Sequence, residues 1–432
     1  MGSGVVTSGR PTVFVRMADA GDLFTSWRWS SDSYPGGVSV VTATQVDATL
    51  AALTPALPDA ADPKSLEHVL TAGALSTYDA EHALAQHLSR TFLPFGLAAQ
   101  LYELYTRGVR PHIRIQPSPR VAQVPWELIA PDAHLRLIDI ADVSLLAPLS
   151  IVHAPGRVPR SWLDTRELPV VAVLDPRVPG YRADSVLGSV LGRMSGHAPL
   201  SRQVGAYAEQ NRLLPKVTGP VDLFRREDVD RDWLGDALRG GASRLIYVGH
   251  VTAAAPESGQ SEHAELHLSC RAETIGFAEA MRAHRPLSAK DLLLGTHTLT
   301  DDPVAGPELW PIPSRVALIA CESGGDLRFG EALGLVSAMI SGGAELVTAT
   351  RWALPTDLAF ERLAGADPRE RPLESAMCSV DSAHEEPDAV RALCDWQRER
   401  SAAWREERAI VDSPVLWGAF ATVFTETDPV LP

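Results

Sequence analysis

The chain has few cysteines and no long apolar run, and each shortage excludes a class of protein. Four cysteines in 432 residues are too few and too scattered for a disulfide scaffold. No stretch approaches the ~18 consecutive apolar residues of a membrane span. Residues 1–10 lack the apolar core of a secretory signal. The sequence therefore predicts a cytoplasmic protein that does not associate with a membrane.

Basic charge is also scarce. Lys and Arg number 39 against 54 Asp and Glu, which gives a formal net charge of −15. Neutralising phosphates needs a basic surface, so direct binding to nucleic acid is not expected. The closest histidine pair, His263 and His267, lies in a segment that alternates like a strand, which would separate the two rings. We expect no metal site and no cofactor.

Two short apolar runs each end in a side chain suited to nucleophilic chemistry. Residues 244–250 read RLIYVGH and residues 316–325 read VALIACESGG. Continuous apolar runs bounded by Gly or Pro are typical of parallel strands that are covered on both faces. Ligands bind at the carboxyl ends of such strands. If the two strands are neighbours, His250 and Cys321 meet at one edge of the sheet.

The pair His250 and Cys321 suits a thiol protease. An adjacent imidazole makes thiolate available and later gives a proton to the leaving amine. Backbone N–H groups of Gly249, Val251 and Cys321 are candidates for stabilising a developing oxyanion. Taken singly, each residue is better explained as a buried cysteine or a hydrogen-bonded core histidine. Together, in this strand context, they favour catalysis.

Strands and helices alternate regularly after residue 168, which predicts an α/β fold with a mostly parallel, six-stranded sheet flanked by helices. Residues 183–194 are predicted to be helical. Residues 1–165 are less regular and are predicted to form an N-terminal α/β subdomain that precedes a second domain over 166–432. A segment rich in Pro, Gly and Arg at 155–160 is a plausible linker. The six predicted strands cover residues 169–175, 221–226, 244–249, 316–320, 345–352 and 417–424.

Four segments resemble the CHAT family of caspase-like cysteine peptidases, which are relatives of separase. They are VPWEL at 124–128, LDP at 174–176, VGH at 248–250 and ACESG at 320–324. The resemblance runs from about residue 90 to the C-terminus. It implies a caspase-like sheet, a catalytic dyad of His250 and Cys321, a protein or peptide substrate, and a supporting role for residues 1–165. Val251 stands where the family usually has Gly, and a β-branched residue resists positive φ.

Charge gives one indication of substrate preference. Asp175, Glu322 and Asp326 fall at or just beyond strand ends on the predicted active edge, where carboxylates would favour a basic substrate side chain. Trp352 also follows a strand and could form a pocket wall. The alternatives are that Asp175 caps a turn, that Glu322 faces solvent and that Trp352 packs between layers.

Two functional hypotheses follow from the sequence. The first is a cysteine endopeptidase that cleaves a protein partner in a bacterial signalling or defence system. It would be activated by a partner protein, by oligomerisation, or by cleavage of the loop at 253–261 or 295–313. The second is a catalytically inactive, caspase-like module that binds peptides, and Val251 favours it.

Overall fold

The computed structural model describes residues 10–60, 62–330 and 332–425. The strands are β1 (Thr12–Ala20), β2 (Asp22–Trp29), β3 (Gly37–Val41), β4 (His112–Gln116), β5 (Asp142–Leu145), β6 (Val170–Leu174), β7 (Leu213–Leu214), β8 (Arg244–Val248), β9 (Val251–Thr252), β10 (Glu265–Leu266), β11 (Leu287–Ser288), β12 (Arg315–Ile319), β13 (Leu346–Thr350) and β14 (Phe420–Phe424). Eleven of them form one sheet in the order β3-β2-β1-β4-β5-β14-β13-β12-β8-β6-β7, and β9, β10 and β11 form a small second sheet.

Helices lie between most of these strands and cover the large sheet. They are α1 (Ala43–Leu53), α2 (Pro63–Thr71), α3 (Tyr78–Phe92), α4 (Phe95–Thr106), α5 (Leu137–Ile140), α6 (Leu149–Val152), α7 (Trp162–Thr165), α8 (Pro199–Glu209), α9 (Arg231–Arg239), α10 (Ala289–Leu294), α11 (Gly306–Leu309), α12 (Leu335–Ser341), α13 (Asp357–Ala364), α14 (Pro372–Ala383), α15 (Ala389–Glu407) and α16 (Pro414–Trp417).

The central strands explain why their sequences are continuously apolar. Every residue of β6, β8, β12 and β13 is buried, as expected for parallel strands with both faces covered. In β2 buried and exposed residues alternate, so only one face of the sheet is covered there. The predicted α/β class, with a largely parallel sheet flanked by helices, is confirmed.

The predicted number of strands is wrong. Residues 166–432 do contribute six strands to the large sheet, but the strands of the first 165 residues extend the same sheet to eleven. The two sets join where Leu145 of β5 pairs with Val423 of β14. The sheet thus crosses the expected boundary at residue 165 without a break. The division into two domains stays a prediction.

Two local predictions are also wrong. Residues 221–226 were expected to form a strand, but Pro220–Leu223 forms a 3₁₀ turn and the edge strand is β7 instead. Pro220 at the start of that segment has no N–H to donate to a ladder. Residues 183–194 contain turns and bends instead of a helix. This irregular segment wraps around a residue of the candidate site.

No helix in the described parts of the chain combines the length and apolar character needed to cross a bilayer. The expectation drawn from residues 1–10 falls almost entirely outside the described residues, which begin at Arg10.

Candidate active site

His250 and Cys321 follow neighbouring parallel strands in the same register. β8 pairs with β12 so that Val248 lies opposite Ile319, and each candidate residue lies two positions beyond its member of that pair. The geometry of the sheet therefore brings both residues to one edge, at the carboxyl ends of the strands. Open α/β sheets bind their ligands at this edge.

The His250 ring is held by a backbone carbonyl. Its Nε2 lies 3.1 Å from the Gly188 oxygen. A carbonyl can only accept, so Nε2 carries the proton of the neutral ring and the lone pair is on Nδ1. Burial lowers the pKa of His250, which keeps the ring neutral near pH 7. In this form the imidazole can act as a base through Nδ1.

The backbone around His250 is also fixed. The Tyr247 hydroxyl lies 2.7 Å from the His250 carbonyl oxygen, and the His267 N–H donates to the same oxygen at 3.2 Å. A Cβ on Gly249 would lie 2.7 Å from the Tyr247 hydroxyl oxygen, so only glycine fits there. The Gly249 N–H, a predicted oxyanion donor, donates to Ile319 at 3.4 Å and thus belongs to the sheet.

Val251 adopts a conformation that suits a β-branched residue. It begins β9 and pairs with Leu266 of β10 in an antiparallel ladder. The backbone at Val251 is therefore extended, and the side chain meets no positive-φ strain. The substitution of Val for the family's usual Gly creates no local conflict in this structure.

Cys321 is partly buried, and its environment favours the protonated thiol. Burial raises the pKa of Cys321, and the neighbouring Glu322 charge raises it further, while a hydrogen bond from the Leu354 N–H acts in the opposite direction. Within the described residues the His250 ring bonds to Gly188 and not to the thiol. The structure brings the two residues to one edge but does not join them by a hydrogen bond.

Two of the predicted acidic residues follow Cys321 and differ in environment. Glu322 has a left-handed backbone, with φ of 51°, and pairs with Arg328 at 3.1 Å. Asp326 is 3% exposed and accepts a hydrogen bond from the Ser337 N–H at 2.8 Å. It thereby caps the first turn of α12, whose cap position is occupied by Gly334 without a side chain. Burial raises the pKa of Asp326 to about 6.

The space beside Glu322 is small. A cavity of about 10 Å³ is lined by residues of the loop after β9 and of the segment after Cys321, among them Ala253, Ala254, Ser261 and Phe329. This volume is at the lower limit for a single water molecule. The Leu333 N–H donates to the Ser261 hydroxyl at 2.7 Å, which ties the two segments together. No peptide side chain fits into this cavity as it stands.

Trp352 and Glu127 both lie in the interior. Trp352 is 1% exposed and its indole N–H donates to the Val415 carbonyl at 2.8 Å, an arrangement that favours packing between layers over a pocket wall. Glu127, from the VPWEL segment, forms a buried ion pair with Arg351 at 3.0 Å. Arg351 directly follows β13. This ion pair links the first 165 residues to the candidate active edge.

Asp175 lies at the carboxyl end of β6 and is 1% exposed. Its carboxylate accepts hydrogen bonds from the Ser189 hydroxyl at 2.5 Å and from the N–H groups of Val190 and Leu191 at 3.1 and 3.4 Å. Arg225 approaches the same carboxylate at 3.4 Å. Sequence reasoning missed Gly188 and Arg225, because their roles depend on contacts between segments that are distant in sequence. It also missed Tyr247, whose place in an apolar strand does not show that its hydroxyl bonds to the His250 carbonyl.

In the described residues, no group of three or more His, Cys, Asp or Glu side chains is arranged to hold a metal ion. His267 is buried, with its ring nitrogens 2.8 Å from the Thr252 hydroxyl and 3.0 Å from the His284 ring. The ring is therefore part of a hydrogen-bonded core cluster beneath His250.

The fold and site define an α/β protein with a thiol and an imidazole at the carboxyl edge of a largely parallel sheet. The family model described as the CHAT domain matches residues 82–424, and the chain belongs to this family. Among solved structures, the chain is similar to the separase of the Saccharomyces cerevisiae separase-securin complex, with 8% identity and a TM-score of 0.46. That match covers 96% of this chain and 30% of the separase chain. No curated protein matches the sequence.

Proposed function

We propose that this chain is a cysteine endopeptidase in which Cys321 is the nucleophile and His250 the base. The carrying observation is the register of β8 and β12, which brings the two residues to the same edge of the sheet. The neutral ring with its lone pair on Nδ1 supports the assignment. Membership of the CHAT family supports the class of protein.

The chemistry requires one proton to move twice. Nδ1 of His250 takes the proton from the Cys321 thiol as sulfur attacks the scissile carbonyl, and the ring then gives it to the leaving amine. Water hydrolyses the resulting thioester with the ring again acting as base. Of the backbone donors considered, the N–H groups of Cys321 and Val251 are proposed to stabilise the oxyanion, since that of Gly249 bonds to Ile319.

The geometry also supports a resting state that must be opened. Burial raises the pKa of the Cys321 thiol, and the adjacent cavity of about 10 Å³ is too small for a substrate side chain. We propose that an activating protein partner or oligomerisation separates the loop at 253–261 from the segment after Cys321. Glu322 would then be released from Arg328 and face a basic substrate side chain.

In this proposal the enzyme acts in the cytoplasm on a protein partner, within a bacterial signalling or defence system. A partly buried, protonated Cys321 thiol suits such a role, because a protease that acts on cellular proteins must be restrained until it is needed. The same observation favours a second candidate function. A CHAT protein whose thiol and imidazole stay apart could bind peptides at the sheet edge without cleaving them.

Proteolysis inside cells separates the two functions. The full chain and its Cys321→Ala and His250→Ala variants would be expressed in the native host, and new protein N-termini would be counted by mass spectrometry. An endopeptidase should generate N-termini that are absent with both variants. Cys378→Ala is the matched control, because Cys378 is also a partly buried free thiol and should leave the N-termini unchanged.

Identical sets of N-termini from the wild-type chain and Cys321→Ala, under conditions that induce the system, would contradict the peptidase. If the same partner proteins then co-purify with both forms, the peptide-binding function is the better explanation.

A further inference from the structure

We infer that Arg225 and Asp175 are positioning residues, which fix the His250 imidazole by clamping the Gly188 carbonyl that holds it. The inference deepens the proposed function, because it concerns the same imidazole. It assigns to Asp175 a role in orienting the base in place of a role in binding substrate.

The Gly188 carbonyl oxygen receives two donors. One is Nε2–H of His250 at 3.1 Å, and the other is Nη1–H of Arg225 at 2.9 Å. A carbonyl oxygen has two lone pairs, so both sites are used. The position of this oxygen therefore depends directly on the guanidinium, and the ring orientation depends on the oxygen.

The segment that carries Gly188 is wrapped around Asp175. Ser189, Val190 and Leu191 all donate to its carboxylate. A Cβ added to Gly188 would lie 2.3 Å from the Ala183 carbonyl oxygen, so the turn tolerates no side chain at this position. The carboxylate thus organises four consecutive residues whose first member holds the His250 ring.

Arg225 completes the clamp by contacting both parts of it. Its Nη1 lies 3.4 Å from Asp175 as well as 2.9 Å from the Gly188 oxygen. Its backbone has φ of 57°, a region that non-glycine residues rarely occupy. The neighbouring residues are anchored to the sheet edge: Phe224 bridges to Leu174, and the Arg226 carbonyl accepts from the Arg177 N–H at 2.9 Å. Strained residues cluster at functional sites when their surroundings hold them in place.

The carboxylate of Asp175 has no exposed acceptor for a substrate. Its side chain is 1% exposed and already accepts hydrogen bonds from Ser189, Val190 and Leu191 and pairs with Arg225. The two charged members of the clamp act on the ring in opposite directions, because Asp175 raises the pKa of His250 and Arg225 lowers it. The clamp therefore fixes the ring with two charges whose effects on the pKa of His250 are opposite in sign.

The test is nitrogen-15 NMR of the full chain labelled at histidine, with His250 assigned by comparison with His250→Gln. In the wild-type chain the Nε2–H proton should exchange slowly with water. In Arg225→Met its exchange should be at least about tenfold faster, because the acceptor loses its second donor and moves. The pKa of His250 should rise in Arg225→Met and fall in Asp175→Asn. Opposite shifts are not expected from a general loosening of the fold.

Three further variants keep the test interpretable. Ser189→Ala removes one donor to Asp175 without changing either charge, and should speed the exchange less than Arg225→Met. Arg225→Lys keeps the positive charge, but its side chain is one bond shorter and its ammonium does not reach the position of Nη1. The pKa of His250 should therefore return to the wild-type value while the exchange stays faster. Arg226→Met is the matched control, since the Arg226 side chain bonds to Asp228 at the surface. It should change neither the exchange rate of the Nε2–H proton nor the pKa of His250.

Slow exchange that persists in Arg225→Met and in Ser189→Ala would overturn the clamp, whether or not the chain is a protease. Where cleavage is measured, Arg225→Met should lower kcat about 100-fold with little change in KM. A changed preference for basic substrates in Asp175→Asn, with kcat unaffected, would instead make Asp175 a specificity residue. Failure of the peptidase itself is judged separately, by Cys321→Ala.

Discussion

The two strand ends that form the candidate site differ in how completely they are organised. At the end of β8, His250 is held at its ring by Gly188 and at its carbonyl by Tyr247 and His267. At the end of β12, the Cys321 thiol is partly buried, with a raised pKa. One side has the base ready in its neutral form, whereas the other keeps the nucleophile protonated.

This difference indicates where activation would act. Further ordering of His250 would contribute little to activation, because its ring and its carbonyl already form their hydrogen bonds. Ionising Cys321 requires relief from burial, and the segment that follows Cys321 is tied to the loop at 253–261 by the hydrogen bond from the Leu333 N–H to the Ser261 hydroxyl. A partner that separates this segment from the loop would expose the Cys321 thiol and leave the hydrogen bonds of the His250 imidazole unchanged. Substitutions on each side can measure how far the two strand ends differ.

The largest expected effect concerns Asp326, which organises the segment after Cys321. Burial raises its pKa from 3.8 to about 6. A raised pKa means that the folded state holds the proton more tightly than the unfolded state. The contribution of this group to stability is therefore complete below pH 4 and is lost as pH rises through 6. Over that range it amounts to about 3 kcal/mol.

The Asp326→Asn variant removes this titration. The difference in free energy of unfolding between the wild-type chain and the variant should therefore change by about 2.5 kcal/mol between pH 4 and pH 7, because at pH 4 the unfolded carboxyl is already partly ionised. Urea unfolding at several pH values measures it. Asp302→Asn, in an exposed loop, serves as the control and should give a flat difference. A flat difference for Asp326→Asn as well would show that its carboxyl is not buried as described.

On the His250 side, the Tyr247→Phe variant should lower stability by about 1–3 kcal/mol, because it leaves two buried carbonyl oxygens without the hydroxyl. Those oxygens belong to His250 and His267, at 2.7 and 2.9 Å. Urea unfolding measures the loss. Tyr102→Phe, on the exposed face of α4 and 52% exposed, is the control and should change stability by less than about 0.5 kcal/mol. Equal effects of the two variants would mean that the Tyr247 hydroxyl does not hold the His250 carbonyl as described.

Local patterns in the sequence predicted one part of this site and missed another. The apolar runs before His250 and Cys321 correctly predicted β8 and β12, because burial on both faces requires continuously apolar strands. The clamp around Asp175 was not predictable in this way. Arg225 lies 50 residues from Asp175, and nothing in its local sequence indicates a left-handed backbone.

Contacts between residues distant in sequence also explain the errors in the predicted fold. The local sequence of a strand in residues 1–165 does not say which sheet the strand joins, so the extension of one sheet to eleven strands could not be predicted. Residues 183–194 have a composition compatible with a helix. The Asp175 carboxylate satisfies the backbone of 190–191 in another way, and that tertiary contact outweighs the local propensity.

The smallest expected effect is on the reactivity of the thiol itself. Glu322 raises the pKa of Cys321 through its charge, so the Glu322→Gln variant should lower the pKa and speed alkylation of Cys321. The increase should be roughly two- to fivefold, because a partly exposed charge contributes less than about 1 kcal/mol. Mass spectrometry of each cysteine peptide after timed iodoacetamide treatment at pH 8 measures the rate, with Cys378 as the internal reference. An unchanged or slower rate would mean that burial alone, and not the Glu322 charge, protects the thiol. Activation would then have to expose Cys321, and displacing Glu322 would not contribute.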